Sequence, residues 1–184
     1  MRNAAPPPAC HRHVALVGPM GAGKSTLGRA LADRLGLPFI DLDASIEATA
    51  GRPVAAIFAS EGEAGFRALE SGALGDVLAG PPAVIASGGG AVLAPANRET
   101  MRAAATVVYL QVDPNVQLAR LAGDTTRPLL QDADPAARLA QLQAQREPLY
   151  REAAHLLFDA GVLPPAEAAD ALARLLQTPD AAPP

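Results

Sequence analysis

Residues 13–35 read HVALVGPMGAGKSTLGRALADRL, an apolar run, a glycine-rich turn and an amphipathic segment in direct succession. The run at 13–18 has the length and the β-branched content of a buried strand. The segment at 24–35 repeats apolar residues at three- and four-residue spacing and stops before Gly36, a residue that favours the end of a helix. This stretch therefore predicts a strand, a tight loop and a helix.

The turn between strand and helix carries a phosphate-binding motif. Residues 18–25 read GPMGAGKS and match GxxxxGK[ST]. Such a loop turns backbone N–H groups toward the phosphates, while Lys24 reaches the β and γ oxygens and the Ser25 hydroxyl binds Mg²⁺. Of the 15 basic residues Lys24 is the single lysine, which indicates a site that needs a compact ammonium. The alternative is a glycine-rich turn without a ligand.

The rest of the chain alternates between strand-like and helix-like segments. Short apolar runs lie at 13–18, 38–43, 83–87, 106–112 and 155–158. Helical patterns lie between and after them, at 24–35, 45–50, 53–60, 61–78, 95–104, 114–121, 135–150 and 165–177. This order predicts an α/β fold with a parallel sheet covered on both faces and ligands at the carboxyl ends of its strands.

Composition limits the domain count and the partners. A chain of 184 residues fits one domain, which we expect at 13–177 between disordered tails at 1–12 and 178–184. The net charge of −4, without blocks of like charge, argues against nucleic-acid and membrane partners. The uncharged stretch at 77–97 is interrupted by proline and glycine, and no secretory signal precedes residue 13. With the single cysteine, Cys10, these features predict a cytoplasmic protein.

Two carboxylates follow the second predicted strand. Because side chains two residues apart share one face of a strand, we expect Asp41 and Asp43 to point into the same crevice. One carboxylate would then lie near Mg²⁺ and the other beside an acceptor hydroxyl. In the alternative interpretation, Asp43 caps the helix that begins near Ser45 and Asp41 is a solvated strand end.

Glycines and arginines supply further candidate ligand contacts. Three glycines, Gly88, Gly89 and Gly90, follow the third predicted strand, where they form either a flexible loop or a close approach of the backbone to a ligand. Arg67 lies four residues after Glu63, the spacing of a surface ion pair, and Arg146 could be a helix-end cation. Taken one at a time, neither arginine indicates a site.

The polar stretch between Arg120 and Arg127 reads LAGDTT. It is either a solvated loop or a lid that brings Arg127 onto a transferring phosphoryl group when the site closes.

Taken together, these segments resemble the shikimate kinase family from residue 13 to about residue 158. The resemblance is carried by GPMGAGKST, FIDLDASIE with ATAGRPVAAIF, GEAGFRALE, VIASGGGAV, TTRPLL and QREPLY. It implies a three-layer α/β/α P-loop kinase fold with five parallel strands in the order 2-3-1-4-5 and a lid at about 121–134. It also implies the cosubstrates ATP and Mg²⁺, and phosphoryl transfer to the 3-hydroxyl of shikimate in chorismate biosynthesis.

The resemblance also implies residue roles on the acceptor side. Asp43 would meet the shikimate hydroxyls, and Asp41 would be a carboxylate near Mg²⁺. Arg67 and Arg146 would hold the shikimate carboxylate, and the pocket would be closed by Gly88, Gly89 and Gly90.

On the nucleotide side, Arg120 would pack on the adenine and Arg127 would be the lid arginine. The phosphates would be held by Gly21, Ala22, Gly23, Lys24, Ser25 and Thr26. The segment at 159–165, DAGVLPP, departs from the polar or basic loop that holds adenine in many members of the family.

Two other functions are compatible with part of the pattern. A kinase of the same fold could act on another polyol acid such as gluconate, although the DLD segment, Arg67, Arg146 and the three glycines suit a ring that bears one carboxylate and adjacent hydroxyls. The second function is that of a ligand sensor without catalytic activity, although all the phosphoryl-transfer groups are present. We expect a monomeric enzyme.

Overall fold

The computed structural model describes residues 12–122, 134–159, 161 and 163–177. It contains a five-stranded parallel sheet in the order β2-β3-β1-β4-β5, which confirms the expected order. The strands are β1 (His13–Val17), β2 (Phe39–Asp41), β3 (Val84–Ala86), β4 (Ala105–Gln111) and β5 (Leu156–Asp159).

Helices connect consecutive strands and cover both faces of the sheet. Those described are α1 (Lys24–Leu35), α2 (Leu42–Ala50), α3 (Val54–Leu78), α4 (Pro95–Ala104), α5 (Pro114–Leu121), α6 (Pro135–Ala153) and α7 (Pro165–Gln177). A short 3₁₀ turn, Ala91–Leu93, precedes α4. Helix α6 extends three residues past the expected end at residue 150 and keeps Pro148 in its interior.

Alternation along the central strand builds one hydrophobic cluster on each face. Ala15 and Val17 of β1 pack with apolar residues of α2, α3, α4 and α6, whereas Val14 and Leu16 pack with α1 and α7. All four side chains are fully buried. A strand buried on both faces reads as a continuous apolar run, which is why the length and β-branched content of residues 13–18 located β1.

The carboxyl ends of the three strands on one side of the sheet meet at one edge. Leu16 of β1 is in register with Ala86 of β3, and Ala86 is in register with Asp41 of β2. The phosphate-binding loop follows β1, and the three glycines follow β3. The sheet therefore places both segments beside Asp41.

The third helical segment contains the break expected between helices at 53–60 and 61–78. Helix α3 spans Val54–Leu78, but its backbone is non-helical at Gly62, with φ 70° and ψ −174°. A glycine adopts this left-handed φ without the steric cost that other residues meet. The chain thus has the expected break, two residues after the expected end of the first helix.

Several predicted segments lie outside the described residues: most of the two tails, most of the lid segment, and Arg127. Arg12, at the end of the N-terminal tail, is described, and its guanidinium donates a 2.8 Å hydrogen bond to the Ala103 carbonyl. Among the helices in the described part of the chain, none has the length and apolar content needed to span a bilayer.

Candidate active site

The phosphate-binding loop joins β1 to α1 as the sequence predicts. Gly23 caps the N-terminus of α1 with φ 90° and ψ 19°, a left-handed conformation that favours glycine. Lys24 is the first residue of the helix, and its ammonium donates hydrogen bonds to the carbonyls of Gly18 and Pro19, both at 2.8 Å. The loop therefore curls around a single compact cation at the N-terminus of a helix.

Helix α5 packs against the outside of this loop. The Gln117 side-chain amide donates to the Met20 carbonyl at 2.9 Å, and the Arg120 guanidinium donates to the Gly21 carbonyl at 3.3 Å. Gln117 is buried, whereas Arg120 is exposed above the loop. Arg120 thus lies beside the loop that would hold the nucleotide phosphates.

A hydroxyl and a carboxylate meet next to the loop. The Ser25 hydroxyl donates to Asp41 Oδ2 at 2.7 Å, and Asp41 Oδ1 accepts from the Ala44 backbone N–H at 3.4 Å. Asp41 is therefore the N-cap of α2 as well as the partner of Ser25. Hard oxygen donors of this kind are the ligands that Mg²⁺ takes, in combination with phosphate oxygens and water.

The strand argument for Asp43 was wrong. The second strand ends at Asp41 and α2 begins at Leu42, so Asp43 lies in the first turn of a helix and does not share a strand face with Asp41. The helix begins three residues earlier than expected because the Asp41 side chain caps it. The capping role that the sequence offered to Asp43 thus belongs to Asp41. Asp43 still faces the site, since a Cβ added to Gly88 would lie 3.0 Å from Asp43 Oδ1.

Arg67 is paired with a buried carboxylate that the sequence analysis did not single out. Its Nη1 donates to Glu70 Oε2 at 2.6 Å, and its Nη2 donates to Glu63 Oε1 at 3.3 Å. Glu63 is 63% exposed and Glu70 is 0% exposed. The pair with Glu63 is the expected surface contact, and the pair with Glu70 anchors the guanidinium inside the protein.

Glu70 lies at the centre of the charged groups. Burial raises its pKa, and the charge of Arg67 and the hydrogen bond from its guanidinium lower it. Asp43 raises the same pKa and Arg146 lowers it, both through their charges. The same grouping is seen in the geometry, since a Cβ on Gly88 would approach both Glu70 and Asp43, and Arg67 donates directly to Glu70.

The first and third glycines after β3 leave room for these side chains. A Cβ on Gly88 would lie 2.6 Å from Glu70 Oε1, and a Cβ on Gly90 would lie 2.5 Å from Arg67 Cζ. Both separations are far shorter than a carbon atom allows. In the described residues the glycines make room for Glu70 and Arg67, and the approach of their backbone to a ligand stays a prediction.

Arg146 enters the site from α6, next to a buried tyrosine that the sequence analysis also missed. The Tyr150 hydroxyl donates to the Gly89 carbonyl at 2.5 Å. Burial raises the pKa of Tyr150 to about 12, against the charge of Arg146 and a hydrogen bond from its guanidinium. Arg146 and Tyr150 line a small cleft together with Pro19 and Met20 of the phosphate-binding loop.

The structure thus brings most of the predicted site together at one edge of the sheet. The residues that converge there are those of the phosphate-binding loop, the three glycines, Asp41, Asp43, Arg67 and Arg146. Arg127 lies outside the described residues. Glu70 and Tyr150 had weak signals in the sequence: each follows a candidate arginine by one helical turn, a spacing that places side chains side by side. This arrangement offers a phosphate cradle and, beside it, a group of two arginines and two carboxylates.

Comparison with known proteins agrees with this geometry. The family model for shikimate kinase matches residues 20–177. The chain is 55% identical over 144 residues to a shikimate kinase of Halorhodospira halophila, which covers 78% of this chain and 81% of the relative. It is 46% identical over 169 residues to a shikimate kinase of Pseudomonas syringae pv. tomato, with 91% and 98% covered.

A solved structure gives the same result. The shikimate kinase from Acinetobacter baumannii in complex with shikimate is 40% identical, with a TM-score of 0.87 over 91% of this chain and 93% of that one. Sequence, sheet order and site geometry agree that the chain belongs to the shikimate kinase family of ATP-dependent kinases.

Proposed function

We propose that this chain transfers the γ-phosphoryl group of ATP to the 3-hydroxyl of shikimate, giving shikimate 3-phosphate and ADP. The observation that carries the proposal is the placement of Asp43, Glu70 and Arg67 against the glycines after β3, with Arg146 lining the cleft beside the phosphate-binding loop. The loop and Lys24 would bind the nucleotide phosphates. The two arginines, Arg67 and Arg146, therefore suit a negatively charged acceptor.

The proposed acceptor clamp consists of Arg67 and Arg146, which come from different helices. The Arg67 side chain is 21% exposed, so part of it can be reached from solvent. A planar guanidinium offers the paired donors that carboxylates prefer. Gly88, Gly89 and Gly90 would close the pocket around the ring.

On the nucleotide side, residues 21–26 would hold the phosphates and Arg120 would pack on the adenine. Ser25 and Asp41 fit Mg²⁺ by their chemistry, since their hydroxyl and carboxylate oxygens lie 2.7 Å apart at the loop. When bound, the ion would neutralise charge on the β- and γ-phosphates. Arg127 would reach the transferring group from the lid segment.

Asp43 would orient the acceptor for the chemical step. The 3-hydroxyl oxygen forms a bond to the γ-phosphorus as the bond from that phosphorus to the bridging oxygen of ADP breaks, and the hydroxyl proton passes to Asp43. Lys24 would hold the γ-phosphoryl oxygens during this exchange. Because the transition state of phosphoryl transfer is loose, placing the hydroxyl in line contributes more than basicity does.

The activity is tested by measuring ADP production with a panel of hydroxy acids. We expect saturable stimulation by shikimate and little by gluconate, whose open chain does not match a rigid pocket with two fixed arginines. Stronger stimulation by gluconate would favour the related polyol-acid kinase, and shikimate binding without any ADP production would favour a ligand sensor. Light scattering on the same sample tests the proposed monomeric state.

Lys24→Arg should remove most turnover. The ammonium lies 2.8 Å from two loop carbonyls, and a broad planar guanidinium does not fit between them and the phosphates. Steady-state kcat measures the effect. Arg29→Lys, the reverse exchange at an exposed position of the same helix, is the control that should keep its rate. A near-normal kcat in Lys24→Arg would contradict the need for a compact cation.

A further inference from the structure

Tyr150 is the contact between the last long helix and the glycines after β3. It is 1% exposed, and its hydroxyl donates to the Gly89 carbonyl at 2.5 Å. Gly89 lies between this hydroxyl and the phosphate-binding loop, because a Cβ added there would be 3.6 Å from the Tyr150 hydroxyl, the Gly18 carbonyl and the Met20 N–H nitrogen. The hydroxyl thus reaches the backbone that separates the two substrate sites.

The same hydroxyl lies beside Arg146. The two residues are one turn apart on α6, so their side chains lie on one face of the helix. They line one small cleft beside the phosphate-binding loop, and the charge of Arg146 acts to lower the Tyr150 pKa against the larger effect of burial. The hydroxyl that donates to the central glycine therefore lies next to one arginine of the acceptor clamp.

The other arginine is fixed against the same segment. Arg67 is held so close to Gly90 that any side chain at that position would overlap its guanidinium. The glycine segment therefore contacts Arg67 directly at Gly90 and contacts the Tyr150 hydroxyl, beside Arg146, at Gly89.

We propose that Tyr150 is a positioning residue for acceptor binding. Its hydroxyl holds the Arg146 side chain in a fixed place relative to the glycine segment, so that Arg146 and Arg67 bind one carboxylate together. This inference rests on the proposed function and extends it to a residue that makes no direct contact with the transferred group. Tyr150 acts through Arg146, and its removal should weaken binding of the acid without slowing the chemistry once the acid is bound.

The phenol ring of Tyr150 has a separate, purely structural contact. It stacks on Tyr109 of β4 with ring centroids 5.1 Å apart, inside the hydrophobic cluster that α6 shares with the sheet. The Tyr109 hydroxyl accepts from the Gln143 amide at 3.0 Å. The two phenols therefore share one stack but have different hydroxyl partners, which provides a matched pair of variants.

The test compares Tyr150→Phe with Tyr109→Phe, since each removes one hydroxyl and keeps the stacked rings. For Tyr150→Phe we expect the KM for shikimate to rise about 5- to 20-fold, with kcat and the KM for ATP within about twofold of the starting protein. For Tyr109→Phe we expect all three constants within about twofold. Thermal unfolding of both variants shows whether the fold is intact.

A double-mutant cycle isolates the route through Arg146. In an Arg146→Ala background, Tyr150→Phe should change kcat/KM for shikimate by less than about twofold, because the group it positions is gone. An unchanged shikimate KM in Tyr150→Phe, equal losses for both substrates, or an undiminished effect in the Arg146→Ala background would each overturn the inference. If the unmodified chain shows no shikimate-dependent turnover, the proposed function fails and this inference fails with it.

Discussion

Asp43→Asn is expected to lower kcat by about 10²-fold or more while the KM for ATP stays within about twofold. The amide keeps the size of the side chain, but it cannot accept the hydroxyl proton and it has lost the charge that faces the acceptor pocket. Steady-state kinetics with shikimate as the varied substrate measure the change.

The matched control is Glu167→Gln, which removes a carboxylate from the first turn of α7, far from the site. A carboxylate in the first turn interacts favourably with the helix dipole, typically by about 0.3–1 kcal/mol, so the control measures the stability lost with such a charge at an exposed position. Full turnover in Asp43→Asn together with a lower Tm would show that Asp43 stabilises the first turn of α2 and has no part in the reaction. Asp41 would then be the better candidate for the group that orients the hydroxyl.

Arg67→Ala is expected to raise the KM for shikimate strongly and to leave nucleotide binding nearly intact. Loss of one partner from a buried charge pair costs about 2–5 kcal/mol, and the lower end of that range corresponds to a factor of roughly 30 in affinity. Separate titrations with shikimate and ATP distinguish the two sites.

The structure adds a complication that this experiment must control. Arg67 is the hydrogen-bond partner of the fully buried Glu70, so its removal leaves a buried carboxylate without its cation. That loss alone destabilises a protein by about 3–5 kcal/mol. The double variant Arg67→Ala/Glu70→Gln should recover much of the Tm and none of the shikimate affinity. Equal loss of ATP and shikimate affinity in the double variant would place Arg67 outside the acceptor clamp.

The sheet and the phosphate-binding loop could be predicted because their signals are local. Buried parallel strands appear as short apolar runs, and GPMGAGKS is a continuous segment whose spacing is tied to its geometry. The position of Asp43 was harder to predict, since one side chain, Asp41, decides whether the residues after β2 continue a strand or begin a helix. Periodicity does not contain that capping interaction.

The partners of the candidate arginines could not be predicted for a different physical reason. Glu63 and Glu70 are both within one turn of Arg67, and only the approach of Glu70 to Gly88, after β3, marks it as the buried one. The contact of Tyr150 with Gly89 joins residues 61 positions apart, and a single sequence does not reveal such a pairing.

The burial of Glu70 has a consequence for the thermodynamics of acceptor binding. Because Arg67 is already hydrogen-bonded to a carboxylate that does not move into solvent, its long side chain is ordered before any acid arrives. The conformational entropy of that side chain, about 0.5–1.5 kcal/mol for an immobilised flexible residue, is therefore lost when the protein folds and not when it binds. An acid that enters the pocket meets a preorganised donor, and an inhibitor without an anionic group would leave that preorganisation unused.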